Sequence, residues 1–258
     1  MKTISALTVA TIALGAVSGS PVERQLVAGG NEVPVGTKAY TTGVRFTPDG
    51  ANFCGGILVT PNLVLTTATC TSIQEARFVS VGSHFSNGSM DGEQIEVHHA
   101  ENHTFYNSST ASYDFALLTL LNASSIAPVK LPQSDDSDIA PGVWANVMGW
   151  GEKSFGNGTR SNELQSVELE VKDCAAFYTV DNSSVCAGGV AGKDSCNGDE
   201  GGPLVKENGK GDADDVLIGL VGWGSSCGTK GTPAVYSRVS AALEWIKNVT
   251  AEAEVQQK

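Results

Sequence analysis

The chain has 258 residues, 41% of them hydrophobic, and a formal net charge of −12. That hydrophobic fraction can build a core, which excludes global disorder. The acidic balance favours solubility and disfavours nucleic acid or anionic membranes as partners.

The N-terminus has the features of a secretory signal. Lys2 gives the positive start, residues 4–17 form a short apolar run, and Ala16-Val17-Ser18 offers small residues for cleavage. A membrane anchor needs about 20 apolar residues, and this run is shorter and contains Thr and Ser. We therefore expect a signal peptide over residues 1–18, a short pro-segment-like stretch over 19–26 and a secreted mature chain.

Short runs rich in β-forming residues follow, separated by Gly, Asn, Asp and Ser. They lie at 56–59, 77–81, 115–120, 143–149, 164–171 and 216–222. This pattern predicts an all-β sandwich or barrel. The remaining length suits one large all-β domain or two small packed halves.

The one predicted helix comes near the end of the chain. From Ser240 onward, apolar residues recur at helical spacing, beginning with Val239 and continuing through Leu243, Ile246 and Val249. Two acidic stretches, 133–138 and 207–215, are expected to be exposed loops, the first where two halves could be joined. Residues 251–258 are expected to form a polar tail.

Cysteines and glycosylation motifs both suit an extracellular chain. Six cysteines suggest three disulfide bonds, and composition cannot choose among the 15 pairings. Seven N-x-S/T sequons mark candidate glycan sites. They begin at Asn87, Asn102, Asn107, Asn122, Asn157, Asn182 and Asn248.

Several separated segments occur in the order found in the chymotrypsin/trypsin family of serine proteases. They are Cys54-Gly55-Gly56, Leu65-Thr66-Thr67-Ala68-Thr69-Cys70, Asp114-Phe115-Ala116-Leu117-Leu118, Gly149-Trp150-Gly151, Asp199-Glu200-Gly201-Gly202-Pro203 and Val221-Gly222-Trp223-Gly224. With Pro233-Ala234-Val235-Tyr236 and the closing helix, they extend over residues 27–249, and the chain resembles this family.

The resemblance implies a fold and a disulfide pattern. The fold is all-β, with two antiparallel six-stranded barrels packed side by side over residues 27–132 and 133–250, a cleft between them and a C-terminal α-helix. The implied pairs are Cys54 with Cys70, Cys174 with Cys186 and Cys196 with Cys227.

Peptide hydrolysis in this family needs a hydroxyl nucleophile, an imidazole base and a buried carboxylate that orients it. By the resemblance, Thr69 stands where the family has histidine and Glu200 where it has serine, and only Asp114 keeps the family identity. Threonine cannot shuttle a proton near neutral pH. We therefore predict that the chain is not an enzyme.

The histidines do not supply a substitute base or a metal site in this interpretation. We expect His84 to lie on a loop, and His98, His99 and His103 to be surface or strand residues. Neighbours on a strand face opposite ways, so His98 and His99 should not form a metal pair. The sequence therefore predicts neither a metal nor a cofactor.

Glu200 allows two readings. The backbone N–H groups of Gly198 and Glu200 correspond to the family's oxyanion hole, which attracts negative charge, so the Glu200 carboxylate could fold into that hole and plug it. Alternatively, Glu200 and Asp114 could act as the two carboxylates of a glycosidase.

The substrate pocket is partly kept. Asp194 matches the carboxylate that receives Lys or Arg in trypsin-like enzymes, whereas Ser226 and Ala234 replace glycines of the pocket wall and should narrow it. This remnant is either a retired pocket or a reshaped ligand site. A cut after Arg24 would leave an end two residues too long, so Asp199 is expected to need another partner for its buried charge.

A kept fold without its chemistry favours a binding role, because loops on a rigid scaffold offer an interface. The opening segment 30–38, the few cysteines and the two lost catalytic positions resemble the glucanase inhibitor proteins of plant-pathogenic oomycetes. That resemblance implies inhibition of a host endo-β-1,3-glucanase in the plant apoplast by a chain that is monomeric when free. The alternatives are a carrier or adhesion protein of the haptoglobin type and an enzyme with unorthodox chemistry.

Overall fold

The structure is a computed structural model that describes residues 29–88, 91–156 and 158–256. The expected signal peptide, the pro-segment-like stretch with Arg24, and the sequon residue Asn157 lie outside the described residues. Within the described part, no helix combines the length and apolar character required to span a membrane.

The regular elements of these residues are mostly strands. In chain order they are β1 (Asn31–Glu32), β2 (Thr41–Arg45), β3 (Cys54–Thr60), β4 (Leu63–Thr66), α1 (Ala68–Ile73), β5 (Phe78–Val81), β6 (Glu93–Asn102), β7 (Ala116–Leu120), β8 (Trp144–Gly149), β9 (Gln165–Lys172), β10 (Ser184–Gly188), β11 (Pro203–Lys206), β12 (Val216–Trp223), β13 (Pro233–Arg238) and α2 (Leu243–Gln256).

Each half of the chain closes into a six-stranded antiparallel barrel. The first barrel has the strand order β2-β3-β4-β7-β6-β5. The second has the order β9-β10-β13-β12-β11-β8 and closes because β8 pairs with both β11 and β9. All six predicted β-type runs fall on strands, and the expected pair of barrels with a C-terminal helix is confirmed.

Both barrel interiors are filled by apolar side chains. In the first barrel, Ile57, Leu65 and Leu118 are at most 1% exposed, and in the second Leu204 and Ile218 are fully buried. Alternation along β9 places every second side chain in the core, as expected for a strand with one buried face.

The C-terminal helix differs from its predicted bounds. A 3-10 turn over Val239–Ala242 precedes α2, which then continues through Gln256. The stretch expected to be a polar tail is therefore helical as far as residue 256, because it is rich in Ala and Glu and has no Gly or Pro to end the helix. The periodic residues Val239, Leu243, Ile246 and Val249 are buried as predicted.

The acidic loop at 207–215 is not fully exposed as expected. Its last residue, Asp215, is 1% exposed and accepts hydrogen bonds from the Lys38 ammonium at 2.7 Å and the Tyr40 hydroxyl at 2.5 Å. Lys38 also pairs with Glu207 at 2.9 Å and Asp212 at 3.2 Å. Burial opposes the charge of Lys38, but these bonds outweigh it and raise the pKa of the ammonium. The cluster joins the segment before β2 to the β11–β12 hairpin.

Three disulfide bonds hold the barrels. They join Cys54 to Cys70, Cys174 to Cys186 and Cys196 to Cys227, the same pairs that the family resemblance implies. All six cysteines lie in the described residues and none is free. Each such bond typically stabilises a small secreted domain by about 2 to 5 kcal/mol.

Candidate functional site

Thr69 and Asp114 meet in the first barrel. Thr69 lies in the first turn of α1, where Thr67 caps the helix by accepting from the Cys70 N–H, and the Cys54–Cys70 bond anchors that turn to β3. The Thr69 hydroxyl donates to Oδ2 of Asp114 at 2.7 Å, and its backbone N–H donates to Oδ1 at 2.7 Å. One residue thus engages both carboxylate oxygens of Asp114.

The environment of Asp114 is that of a structural carboxylate. Asp114 is 3% exposed, and burial raises the pKa of its carboxyl group. The hydrogen bonds from Thr69 and from the Ala68 backbone oppose that shift. The Thr69 hydroxyl also lies 3.1 Å from the Tyr106 hydroxyl. Threonine has no basic nitrogen, so it cannot take up a proton and return it during turnover as a histidine does.

Glu200 folds back onto its own loop. The backbone N–H of Gly198 donates to Oε2 of Glu200 at 2.7 Å. Gly198 has φ +95°, a conformation that favours glycine, and its N–H is one of the two donors that the resemblance assigns to the oxyanion hole. The carboxylate therefore engages one of these two donors.

The two carboxylates of the glycosidase alternative are each engaged by their own surroundings. Asp114 accepts from Thr69, and Glu200 accepts from Gly198. A glycosidase needs one carboxyl group to protonate the leaving oxygen and another to attack or activate water. Neither contact observed here prepares either carboxylate for such a role.

The expected pocket residues lie together in the lining of a small cavity. Asp194, Ser226 and Ala234 line it with Glu200 and Trp223, and its volume is about 60 Å³. Ligand pockets usually measure about 300 to 1,000 Å³. The cavity is therefore too small for a lysine or arginine side chain in the state described.

Asp194 is a buried acid in the lining of this cavity. It is 3% exposed, and its Oδ2 accepts from the Gly228 N–H at 3.1 Å. Its Oδ1 is buried and has no hydrogen-bond partner among the described residues. Burial raises the pKa of Asp194 to about 6, because the backbone donors do not offset the lost hydration.

Asp199 is the most deeply buried acid near the cleft. It is 1% exposed and accepts from the N–H groups of Gly151 at 2.7 Å and Cys196 at 2.9 Å. Burial raises its pKa to about 7, and the neighbouring charge of Glu200 adds to the shift. The positive charge of Arg160 acts in the opposite direction. Arg160 was not predicted as a neighbour of Asp199, because a single arginine in a loop carries no pattern.

The Gly149-Trp150-Gly151 motif makes room for Asp199. A Cβ on Gly149 would lie 2.1 Å from Oδ1 of Asp199, and one on Gly151 would lie 2.5 Å from its carboxyl carbon. Real Cβ atoms do not approach so closely. The two glycines are therefore needed for the close approach of this carboxylate to the β8 end.

The histidines agree with the expectation in part: His84 lies on a loop and His98 and His99 are exposed on β6, whereas His103 is buried. His84 is 5% exposed and pairs with Glu32 at 3.2 Å, and His103 is 6% exposed, with its ring stacked on Tyr113 at 4.9 Å. Both are buried, so the expectation that His103 is a surface or strand residue is wrong. In the described residues, no histidine is hydrogen-bonded to Asp114.

His98 and His99 do not alternate along β6. A register shift between Val97 and His99 marks a bulge, and both histidines are exposed and line the same groove. The expectation that they face opposite ways is therefore wrong, because a bulge adds one residue to the strand and breaks its alternation. Within the described ranges, no group of three or more His, Cys, Asp and Glu residues has the geometry to hold a metal ion.

Comparison with known proteins agrees with this architecture. The family model described as Trypsin matches residues 27–246, and the chain belongs to the trypsin family. Within that family it is similar to glucanase inhibitor protein 1 of Phytophthora infestans, with 61% identity over 253 residues that make up 97% of this chain and 98% of the relative. Glucanase inhibitor protein 3 of Phytophthora sojae (strain P6497) is 55% identical over 258 residues, 96% of this chain and 99% of that relative.

Proposed function

We propose that this chain is a secreted, non-catalytic member of the trypsin family that binds and inhibits a host plant endo-β-1,3-glucanase in the apoplast. The observation that carries this proposal is the similarity, over nearly the whole chain, to relatives named glucanase inhibitor proteins. Inhibition of the glucanase would suppress a plant defence. The free protein is a monomer in this proposal.

The geometry of the cleft supports the non-catalytic part. Thr69 engages the carboxylate of Asp114, and Glu200 engages the N–H of Gly198. Losing either the base or the nucleophile of such a triad lowers turnover on the order of a millionfold, and the two losses do not add. Both residue types are absent from these positions.

The mode of inhibition follows from charge. A glucanase active site relies on two carboxylates, and the cleft of this chain presents the acids Glu200 and Asp194. Placing like charges against each other across an interface costs several kcal/mol. We therefore place the glucanase on a broad surface of loops, which for a specific complex would bury about 1,200 to 2,000 Å², and not over Glu200.

The test is inhibition by purified protein. Hydrolysis of a soluble β-1,3-glucan by plant endo-β-1,3-glucanases should fall as the protein is added, and complex formation should follow the same concentration dependence. A plant α-amylase serves as the control enzyme and should be unaffected. Absence of both binding and inhibition across a panel of apoplastic glucanases would refute the proposal. A pull-down from apoplastic fluid that yields one other protein would favour the carrier alternative.

A further inference from the structure

Four glycosylation motifs are grouped on the folded chain although they are spread along the sequence. Five sequons lie wholly within the described residues, and their asparagines are exposed: Asn102, Asn107, Asn122, Asn182 and Asn248. Oδ1 of Asn102 accepts from the Thr71 hydroxyl at 2.7 Å, and Oδ1 of Asn107 accepts from the Ser109 N–H at 2.9 Å. Neither bond uses the amide nitrogen, which is the atom that N-glycosylation modifies.

Two of these asparagines form a rim group beside the cleft. The backbone N–H of Asn107 donates to the Ser112 carbonyl at 3.0 Å, and the Ser112 side chain is hydrogen-bonded to Asp181, the residue before Asn182. The residues that follow Ser112 and Asn182 are also joined, because the Tyr113 N–H donates to the Ser183 hydroxyl at 2.8 Å. Asn107 and Asn182 therefore stand on two loops that are bonded to each other.

The rim group adjoins the substrate side of the cleft. Ala111 from the first loop and Ser184 at the start of β10 line one narrow, nearly closed crevice with Asp114 and Trp223. Trp223 is 40% exposed, and its ring packs edge-on against Tyr178 at 5.1 Å. Bulky groups on both loops would stand over this exposed aromatic surface.

Two further asparagines, Asn122 and Asn248, form a helix group beside a second depression, whereas the side chain of Asn102 is bonded to Thr71 of α1. A groove of about 630 Å³ runs between α2 and the β6–β7 pair, and Glu101, Leu121 and Val249 contribute to its lining. Leu121 and Val249 are direct chain neighbours of Asn122 and Asn248, whereas Asn102 follows Glu101 on β6 and therefore faces the opposite side of that strand. Leu121 is 53% exposed, so this groove leaves apolar surface uncovered by the protein itself.

We infer that all five asparagines carry N-linked glycans, that the rim group covers the Trp223 side of the cleft, and that the helix group covers the groove beside α2. The inference rests on the secretion that the proposed function includes. In each case the side-chain amide nitrogen bonds to the anomeric carbon of a lipid-diphosphate-linked oligosaccharide. The bond from that carbon to the diphosphate breaks, the lipid diphosphate leaves, and one amide proton passes to a base.

The glycans restrict where a protein partner can bind. With the Trp223 side of the cleft and the groove both covered, a glucanase must dock on surface away from the two groups, which agrees with a docking surface that excludes Glu200. The strands β8 and β9 carry no sequon, and Trp144 at the start of β8 is 51% exposed. Trp144 is therefore a matched reference for the exposed Trp223.

The first experiment measures occupancy and cover on the full-length protein secreted from a eukaryotic host. Glycopeptide mass spectrometry should find all five asparagines modified. Hydroxyl-radical labelling of the folded protein should then modify Trp223 severalfold faster in the Asn107→Gln/Asn182→Gln variant than in the parent. Labelling of Leu121 and Trp144 should not change. In the Asn122→Gln/Asn248→Gln variant, Leu121 should respond instead.

Enzymatic deglycosylation of the folded parent keeps the test independent of variant folding. Removing the glycans should increase the labelling of both Trp223 and Leu121. Unmodified asparagines among the five, or equal labelling of Trp223 with and without the rim glycans, would overturn the inference. A protein partner seated in the groove beside α2 of the glycosylated parent would also overturn it. These readouts need no glucanase, so their failure is separate from a failure of inhibition.

Discussion

Two buried carboxylates of this molecule are stabilised in opposite ways. Asp215, between the start of the first barrel and the β11–β12 hairpin, accepts from the Lys38 ammonium and the Tyr40 hydroxyl. Asp199, beneath the cleft, accepts from the backbone N–H groups of Gly151 and Cys196. Both are 1% exposed. The first carboxylate has a cation in direct contact, whereas the second is hydrogen-bonded to backbone N–H groups and has Arg160 near enough to act through its charge.

The difference separates a structural contact from a functional remnant. An ion pair at Asp215 offsets the lost hydration of both partners. At Asp199, burial dominates and raises the pKa to about 7. The backbone hydrogen bonds do not replace all the lost hydration of the carboxylate, so a proton or a nearby cation must stabilise it. Strongly perturbed pKa values of this kind are common at functional sites.

The largest expected effect concerns the cleft. Because Thr69 and Glu200 replace the base and the nucleophile, turnover of Lys or Arg esters should be lower than in active relatives on the order of a millionfold. Serine-directed phosphonates should not label the protein. Intact-mass measurement after incubation decides this, and labelling near one equivalent would contradict it.

A companion variant sharpens the same point. Thr69→His/Glu200→Ser restores both residue types, yet the cavity of about 60 Å³ beside Asp194 remains. We therefore expect this double variant to recover little activity in an ester-hydrolysis assay. Efficient recovery would mean that the pocket opens and that the rest of the site is intact.

The next effect concerns the pH dependence of Asp199. Its folded pKa of about 7 lies above the ordinary 3.8, so its contribution to stability is full below pH 3.8 and is lost as pH rises through 7. Three pKa units correspond to about 4 kcal/mol. Asp199→Asn should remove this pH-dependent loss, measured by urea unfolding between pH 4 and 8. Parallel curves for parent and variant would show that Asp199 is already ionised at low pH.

Removing the cation that pairs with Asp215 should have a somewhat smaller effect on stability. Lys38→Ala leaves Asp215 buried without its cation and should lower the free energy of unfolding by about 3 kcal/mol. Water still solvates Glu207 and Asp212 in part, so most of this loss comes from Asp215. The control is Lys247→Ala, which removes an exposed pair with Glu244 and should cost less than about 0.5 kcal/mol. Equal effects of the two variants in urea unfolding would mean that the Lys38 cluster adds no stability.

The smallest effect is expected on inhibition. Glu200→Ala and Asp194→Ala alter the cleft but not the loop surface proposed for the glucanase, so both should inhibit nearly as well as the parent in a glucan-hydrolysis assay. Changes in one exposed loop cluster should abolish inhibition without unfolding the chain. A hundredfold weakening by Glu200→Ala, with the fold intact by circular dichroism, would make the cleft the working site.

The fold was predictable because its signals are local and repeated. Six β-type runs and one helical period gave an all-β chain with a terminal helix, and the order of separated family motifs then implied the two barrels. The end of α2 was missed, because Ala and Glu at 251–254 are equally compatible with a tail and a helix when no Gly or Pro marks the boundary.

The residues of the candidate site were named from motifs, whereas their contacts were not predictable from the sequence. The sequence places Thr69, Asp114 and Glu200 by motif, whereas the hydrogen bond from Thr69 to Asp114 depends on how α1 packs. Burial of His103 and Asp215 was missed for the same reason, because their partners are distant in sequence: Trp245 packs on the His103 ring and Lys38 binds Asp215. Long-range partners leave no periodic signal.

The two ends of the chain are exchanged between the barrels. Strand β1, which precedes the first barrel, pairs with β9 of the second, whereas Trp245 of α2, which follows the second barrel, packs on His103 of the first. Neither half keeps its full set of neighbours when the other is removed. We expect the barrels to unfold in a single cooperative transition and to fold slowly, because contacts between residues so far apart in sequence require the whole chain to be present. A cut in the connection between the barrels would leave two fragments still held together by the exchanged ends.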